Sequence, residues 1–377
     1  MRILHTADWH IGKIVNEFSM LEDQEAVLHA LVDRVKELDV DVLIMAGDLY
    51  DRAIPPKEAV TLANDIFNRL IREAGIPVLA IAGNHDSNER LEYGSELLAG
   101  SQLYIEGTVK KDIRKVTIGE VNFYLLPFAD HVTIRQLLED DEIKDLQDAT
   151  RKQIESIKEA IDPDEVNILI AHGYIVNGAK DSVEASDSER PLSIGTAEYV
   201  DVNLFDDFDY VALGHLHKAQ KVKTDRVRYS GSPLKYSKSE VRHKKQHVLL
   251  DITKDDFNFE MIEVKPERDM KVLKGTFDEL MQDESDDYIF FELEDQNYVM
   301  DAMNQLRRRY PYAMGLEYTA QKERQKSSQA AKQEAIEKRS LLDLFDDFYS
   351  KFKQNPLDDN QKEAIHETWE QALKGEK

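Results

Sequence analysis

The chain has 377 residues, with 74 acidic against 49 basic side chains and a net charge of −25 at neutral pH. That balance excludes a protein that coats nucleic acid by bulk charge, which needs a basic surplus. No cysteine is present, so disulfides, thiolate zinc sites and a cysteine nucleophile are excluded as well.

The N-terminus, MRILHTADWH, runs straight into a strand pattern and lacks the basic and long apolar regions of a secretion signal. No apolar run approaches the roughly 20 residues that cross a bilayer. The expectation is a soluble, cytoplasmic protein. After the strand at residues 1–7, apolar residues Val27, Leu28, Leu31, Val32, Val35 and Leu38 recur at helical spacing. VDVLIMA (40–46) reads as a buried strand, 59–71 as a helix with Ala63, Ile66, Phe67 and Leu70 on one face, and PVLAIA (77–82) as the next strand. This alternation predicts βαβ units and a parallel sheet. A short strand at 123–126, an acidic helical segment over 133–161 and buried strands VNILIA (166–171) and DYVAL (209–213) follow. The polar stretch 177–196 is a long loop, a length that in a compact domain points to function. HVLLDI (247–252) and FNFEMIEV (257–264) pair to close the unit.

Composition shifts near Pro266. Strand 271–275, helix 277–281, strand 288–293, helix 298–309 and strand 313–318 make a small α/β domain. Residues 320–340 form a polar linker. Leu341, Leu344, Phe345, Phe348, Tyr349 and Phe352 then lie at helical spacing up to the break at Pro356, and a last helix carries Ile365, Trp369, Ala372 and Leu373 with a stop at Gly375. These helices either pack back on the body or dock a partner by a helix-in-groove mode.

Five buried strands end in the same chemistry. RILHTA is followed by Asp8 and His10, VDVLIMA by Gly47, Asp48 and Asp51, and PVLAIA by Gly83, Asn84, His85 and Asp86. VNILIA runs into His172, and DYVAL into Gly214, His215 and His217. Taken singly, Asp8 is a strand-end cap, His172 a core histidine and His215-x-His217 a surface pair. Together they crowd the carboxyl edge of an α/β sheet, where ligands bind. Imidazole, carboxylate and amide oxygen suit divalent manganese, iron, zinc or cobalt. Some seven candidate ligands exceed one mononuclear site and suit two ions sharing a carboxylate, an arrangement that clamps both oxygens of a displacement at phosphorus.

The ordered set D-x-H, G-D-x-x-D, G-N-H-D, H and G-H-x-H resembles that of the calcineurin-like metallophosphoesterases. HTADWHIGK, AGDLYDRAIPP, LAIAGNHDS, YVALGHLHKAQ, YSGSPLKYSKSE and IGTAEYV further resemble the SbcD branch, the nuclease subunits of a bacterial double-strand-break repair complex. The likeness covers essentially the whole chain. Arg52-Ala53-Ile54, before Pro55-Pro56, departs from the small polar residues usual there, which touches loop shape alone.

This resemblance implies an α/β fold: a two-sheet metallophosphoesterase sandwich flanked by helices over 1–265, a capping, DNA-recognising α/β domain over 266–319, the linker 320–340 and C-terminal partner-docking helices over 341–377. It implies two divalent ions, Mn2+ above all. Asp8, His10, Asp48 and His217 would hold one, and Asp48, Asn84, His172 and His215 the other, with Asp48 bridging. His85 would be the general acid, Asp86 would orient His85, and Asp51 would order the edge of the site. The implied activity is a DNA exonuclease on double-stranded ends and an endonuclease on single-stranded or hairpin DNA. Implied partners are DNA, an SbcC-type coiled-coil ATPase and a second copy of the chain, a homodimer within a heterotetramer. A phosphatase or phosphodiesterase acting on a small or protein substrate would use the same ions, and a scaffold would be expected to have lost some of these residues. Four basic clusters, at 110–115, 218–228, 242–245 and 307–309, are left without a role.

Overall fold

The computed structural model describes residues 1–179, 182–192, 198–319, 341–353, 357–358, 360–365 and 368. The linker 320–340, Trp369, Ala372, Leu373 and Gly375, and residues 194–197 of IGTAEYV, lie outside the described residues.

Two six-stranded sheets form the body. In the first, Arg2–Thr6, Val42–Met45, Val78–Ile81 and Leu103–Glu106 run parallel in that order. Gln246–Ile252 pairs antiparallel with Arg2–Thr6, and Phe257–Glu263 antiparallel with Gln246–Ile252. In the second sheet Val121–Leu126, Val166–His172, Tyr210–Gly214 and Thr224–Tyr229 are parallel. Arg114–Ile118 and Gln220–Val222 are its antiparallel edges. The chain is therefore a mixed α/β sandwich.

Alternation along each strand builds three apolar layers. Ile3, Val42, Ile44, Leu79 and Ile81 meet Phe123, Leu125, Ile168, Ile170 and Ala212 between the sheets. Leu4, Leu43, Met45 and Ala80 face outward onto Val27, Leu28, Leu31 and Ile66 of the helices Leu21–Glu37 and Lys57–Asn68. Leu169, Ala171, Val211 and Leu213 likewise face Ile154 and Ile157 of Leu146–Lys158. Both faces of each central strand are covered, which is why these strands read as continuous apolar runs.

The edges were less legible. In Arg114–Ile118 only Val116 is buried, so an edge strand looks like a charged loop. In Thr224–Tyr229 the guanidinium groups of Arg226 and Arg228 sit 4.5 and 4.3 Å from the ring centres of Phe257 and Phe259. Their charge hides a strand whose arginine stems cover aromatic surface. The acidic segment after residue 130 is two helices, His131–Leu138 and Leu146–Lys158, and the helix expected over 298–309 is confined to Ala302–Leu306.

The chain divides into two compact units. One comprises Met1–Leu273, Glu284–Phe290 and Leu306–Gly315, and the other Lys274–Asp283, Phe291–Gln305 and the described residues from Leu316 onward. Met270–Gly275, Tyr288–Leu293 and Ala313–Tyr318 form a three-stranded sheet with the 288–293 strand central. The helix Leu341–Lys353 leaves Phe345, Phe348 and Phe352 at 42%, 63% and 73% exposure. No helix among the described residues is long and apolar enough to cross a membrane.

Candidate metal centre

Every strand end singled out in the sequence arrives at one place. Asp8 and His10 follow Arg2–Thr6, Asp48 follows Val42–Met45, and Asn84 to Asp86 follow Val78–Ile81. His172 ends Val166–His172, and His215 and His217 follow Tyr210–Gly214. Asp8, His10, Asp48 and His215 all have positive φ, at 54°, 46°, 55° and 108°. Backbone held in that region by non-glycine residues concentrates at functional sites. Amide bonds hold these loops to one another: Asp8 N donates to Gly47 O at 3.0 Å and His10 N to Asp48 O at 3.0 Å.

The motif glycines are there because the loops touch. A Cβ on Gly83 would lie 2.1 Å from Asp48 Oδ1, and one on Gly214 would lie 1.9 Å from Ala46 O. No side chain fits either position.

The predicted residues converge around the Asp48 carboxylate. Asp48 Oδ2 stands 3.6 Å from His10 Nε2 and 3.5 Å from His172 Nε2. On one side, His10 Nε2 and His217 Nε2 face each other at 3.0 Å, with Asp8 completing a potential ion-holding group. On the other, Asn84 Oδ1 lies 3.0 Å from His172 Nε2 and 3.3 Å from His215 Nδ1. Asp48 Oδ1 is held in place by the His85 amide at 2.9 Å, and Asp8 Oδ1 by the His215 amide at 2.9 Å.

This donor set fits divalent ions. Asp8 Oδ2 is buried without a hydrogen-bond partner, a costly state unless a ligand satisfies it. Two imidazole nitrogens ~2.1 Å from a common ion at right angles are ~3.0 Å apart, which matches the His10–His217 separation. The tautomers agree as well. His172 Nδ1 donates to Ala46 O at 2.9 Å, leaving a bare Nε2 toward the centre when the ring is neutral.

Without an ion the charges are unbalanced. Burial opposes ionisation of Asp48, yet the imidazoles of His172, His10 and His85 outweigh it and hold its carboxyl well below the usual range. Burial likewise opposes a charge on His172, but Asp48 and Asp8 lift it to about 9. Burial, with Asp48 adding to it, raises Asp8 to about 7. Burial pushes His10 and His215 well down. A proton on His172 thus takes the place of cationic charge that the carboxylates demand.

Two predicted roles change hands. Asp86 was expected to orient His85. Instead its carboxylate accepts the amides of Leu49, Tyr50 and Gly83 at 3.1, 2.9 and 3.0 Å, tying the loop of Asp48 to that of Asn84. The His85 ring is set by Asp51, whose backbone carbonyl accepts from Nδ1 at 2.8 Å. The Asp51 carboxylate pairs with Lys13 at 2.8 Å.

The support of His217 escaped the sequence reading. Glu240, fully buried, accepts from His217 Nδ1 at 3.2 Å, from Ser188 Oγ, and from Lys245 Nζ at 2.5 Å. Lys245 in turn donates to the His217 carbonyl at 2.9 Å. Burial opposes charge on His217, and Glu240 more than offsets this and raises its pKa. The one signal was the polar run YSKSE, quoted for likeness rather than for chemistry.

Residues 1–219 match the family model of the calcineurin-like phosphoesterases. The chain belongs to that family. Its residues 266–352 match a second model, SbcD_C, described as the type 5 capsule protein repressor C-terminal domain, and together the two matches mark an SbcD-type metallophosphoesterase. Similar solved structures include GAP50, the anchor in the inner membrane complex of Plasmodium, at 12% identity over 84% of this chain and 96% of that one, with TM-score 0.37. A dimetal phosphatase from Danio rerio matches at 12% over 70% and 96%, TM-score 0.41. A hypothetical protein from Pyrococcus horikoshii OT3 matches at 12% over 70% and 89%, TM-score 0.30. As a calcineurin-like phosphoesterase the chain is a metal-dependent hydrolase of phosphoesters.

Proposed function

We propose that this chain is a manganese-dependent DNA nuclease, cutting duplex ends as an exonuclease and single-stranded or hairpin DNA as an endonuclease, in concert with an SbcC-type ATPase. The observation that carries the dinuclear reading is the single oxygen Asp48 Oδ2, within 3.6 Å of one imidazole in each half of the site. Asp8, His10, Asp48 and His217 would hold one ion, and Asp48, Asn84, His172 and His215 the second. Bound there, the two ions supply Lewis acidity at phosphorus and a water ionised near neutral pH.

The chain's own groups do the rest. His85 has Nδ1 engaged by the Asp51 carbonyl, so Nε2 is the atom free to carry a proton. Burial lowers the pKa of His85, and the negative charge of a phosphodiester favours its protonated form. His85 then donates that proton to the leaving oxygen as general acid. Asp86 keeps the loops of Asp48 and His85 in register, and the Glu240–Lys245 pair fixes the tautomer of His217.

The C-terminal family match over 266–352 supports DNA rather than a small ester as the substrate, with 266–319 as the capping domain. The exposed stripe Phe345, Phe348 and Phe352 supports docking of a coiled-coil partner. Small-ester or phosphoprotein hydrolysis is the second reading, since the centre itself recognises phosphorus alone. The test is an end-labelled duplex and a small phosphodiester, each with Mn2+, wild type against His85→Ala. Duplex degradation that disappears in the variant with manganese content unchanged supports the proposal. Hydrolysis of the small ester alone, even with the ATPase added, favours the second reading.

A further inference from the structure

The basic clusters of the sequence separate once their partners are known. Lys110, Lys111, Arg114 and Lys115 face Glu92 or Glu106, Glu139, Glu106 and Glu165. Lys218, Lys221, Lys223 and Arg228 pair with Glu184, Asp225, Asp206 and Asp225. These faces are neutralised apart from Arg226, which donates to the Asp209 carbonyl at 2.8 Å. Of the cluster at 307–309, Arg309 faces Glu284 at 3.6 Å while Arg307 and Arg308 are exposed. The cluster at 242–245 differs in that its free cations line a cleft. Arg242 and Lys244 are exposed, have no carboxylate partner among the described residues, and line a cleft of about 510 Å³ together with the exposed, equally unpaired Lys265. Lys235 and Arg268 on the same wall are already paired, with Asp269 at 2.8 Å and with Asp23 at 3.1 Å. The one carboxylate of the cleft without such a partner is Glu263, so free cations outnumber free anions three to one.

We propose that this cleft is a phosphate-binding subsite that holds the backbone of a nucleic-acid strand. The proposal deepens the nuclease reading and rests on it. Three unpaired cations around one concave surface form a local anion site in a chain whose net charge is −25. The cleft also adjoins the reaction centre: Lys245 lines it and donates to the carbonyl of His217 at 2.9 Å. A strand seated on Arg242, Lys244 and Lys265 thereby lies one residue, Lys245, away from the backbone of a predicted ion ligand. Phosphate contacts of this kind position the strand without reading its sequence.

The test uses the full chain in EDTA, so that duplex is bound and not cut. Affinity for a short fluorescent duplex is measured by anisotropy across a salt series, for wild type and for the triple variant Arg242→Ser, Lys244→Ser, Lys265→Ser. Each backbone contact contributes about 0.9 to the slope of log affinity against log salt, so the variant slope is shallower by up to about 3. The charge-keeping variant Arg242→Lys, Lys244→Arg, Lys265→Arg keeps the wild-type slope, and so does Lys110→Ser, Lys111→Ser, Lys115→Ser. Unaltered slope in the cleft variant, with its melting temperature intact, overturns the proposal, as does failure of wild type to bind duplex. At constant ionic strength, inorganic phosphate or deoxyadenosine monophosphate that displaces duplex at low millimolar levels would make the site one for free phosphate, and would overturn the strand reading. Manganese-dependent hydrolysis of a small ester by wild type tests the centre independently of the cleft.

Discussion

Gly214→Ala is the sharpest probe of how the centre is assembled. The added methyl would stand 1.9 Å from the Ala46 carbonyl oxygen and 2.9 Å from His172 Nδ1, whereas Cβ atoms do not approach heavy atoms closer than about 3.0 Å. The carbonyl must therefore retreat by about 1 Å, and it is the same carbonyl that receives the His172 Nδ1 proton. Overpacking of this kind costs about 1–3 kcal/mol. A misplacement of about 1 Å at reacting groups costs about 100-fold in rate. Manganese titration, hydrolysis of a small phosphodiester and thermal unfolding, each beside wild type, read out affinity, rate and stability. Gly100→Ala is the control, since its nearest contact would be 3.4 Å away. Wild-type manganese affinity and turnover in Gly214→Ala would refute the argument that the glycine exists to let these strand ends touch.

Further outcomes follow from the same geometry. Glu240→Gln keeps shape but removes the charge behind His217, and lowers manganese affinity by about 10- to 100-fold by calorimetry; unchanged affinity would deny Glu240 its positioning role. With His172 at about 9 and Asp8 at about 7 in the ion-free protein, manganese binding at pH 7 displaces protons, so affinity rises with pH. Calorimetry in buffers of different ionisation heat detects that release, and a value of zero would contradict it. Burial depresses His247 from 6.5 to about 4, so the unfolded chain takes its proton first. Its stability contribution is complete above 6.5 and shrinks as pH falls toward 4, at about 1.4 kcal/mol per pH unit. Denaturant unfolding of His247→Leu at pH 7.5 and 4.5, in EDTA, loses less on acidification than wild type, and an equal loss would refute the assignment. Phe348→Asp, at an exposed position, abolishes co-purification with a coiled-coil ATPase and leaves unfolding within about 0.5 kcal/mol of wild type; retained co-purification would remove the aromatic stripe from the interface.

The fold's centre was legible because both faces of its strands are covered, so apolar runs end abruptly where chemistry begins. Asp8, Asp48, Asn84, His172 and His215 could be gathered from the sequence since each sits within a few residues of such an end. What stayed hidden depends on pairings across the fold. Glu240 reaches His217 from 23 residues away, and Ser188 from a polar loop without periodicity. The exchange of roles between Asp51 and Asp86 turns on a backbone carbonyl and three amides, groups every residue has. Edge strands hid behind arginines whose stems cover aromatic rings. The basic clusters looked alike until their carboxylate partners separated them.

The most direct test of the central claim is anomalous diffraction from crystals of the chain grown with manganese. The account predicts two peaks on either side of Asp48, one bounded by Asp8, His10 and His217, the other by Asn84, His172 and His215. A single peak, or ions bound away from Asp48, would contradict it.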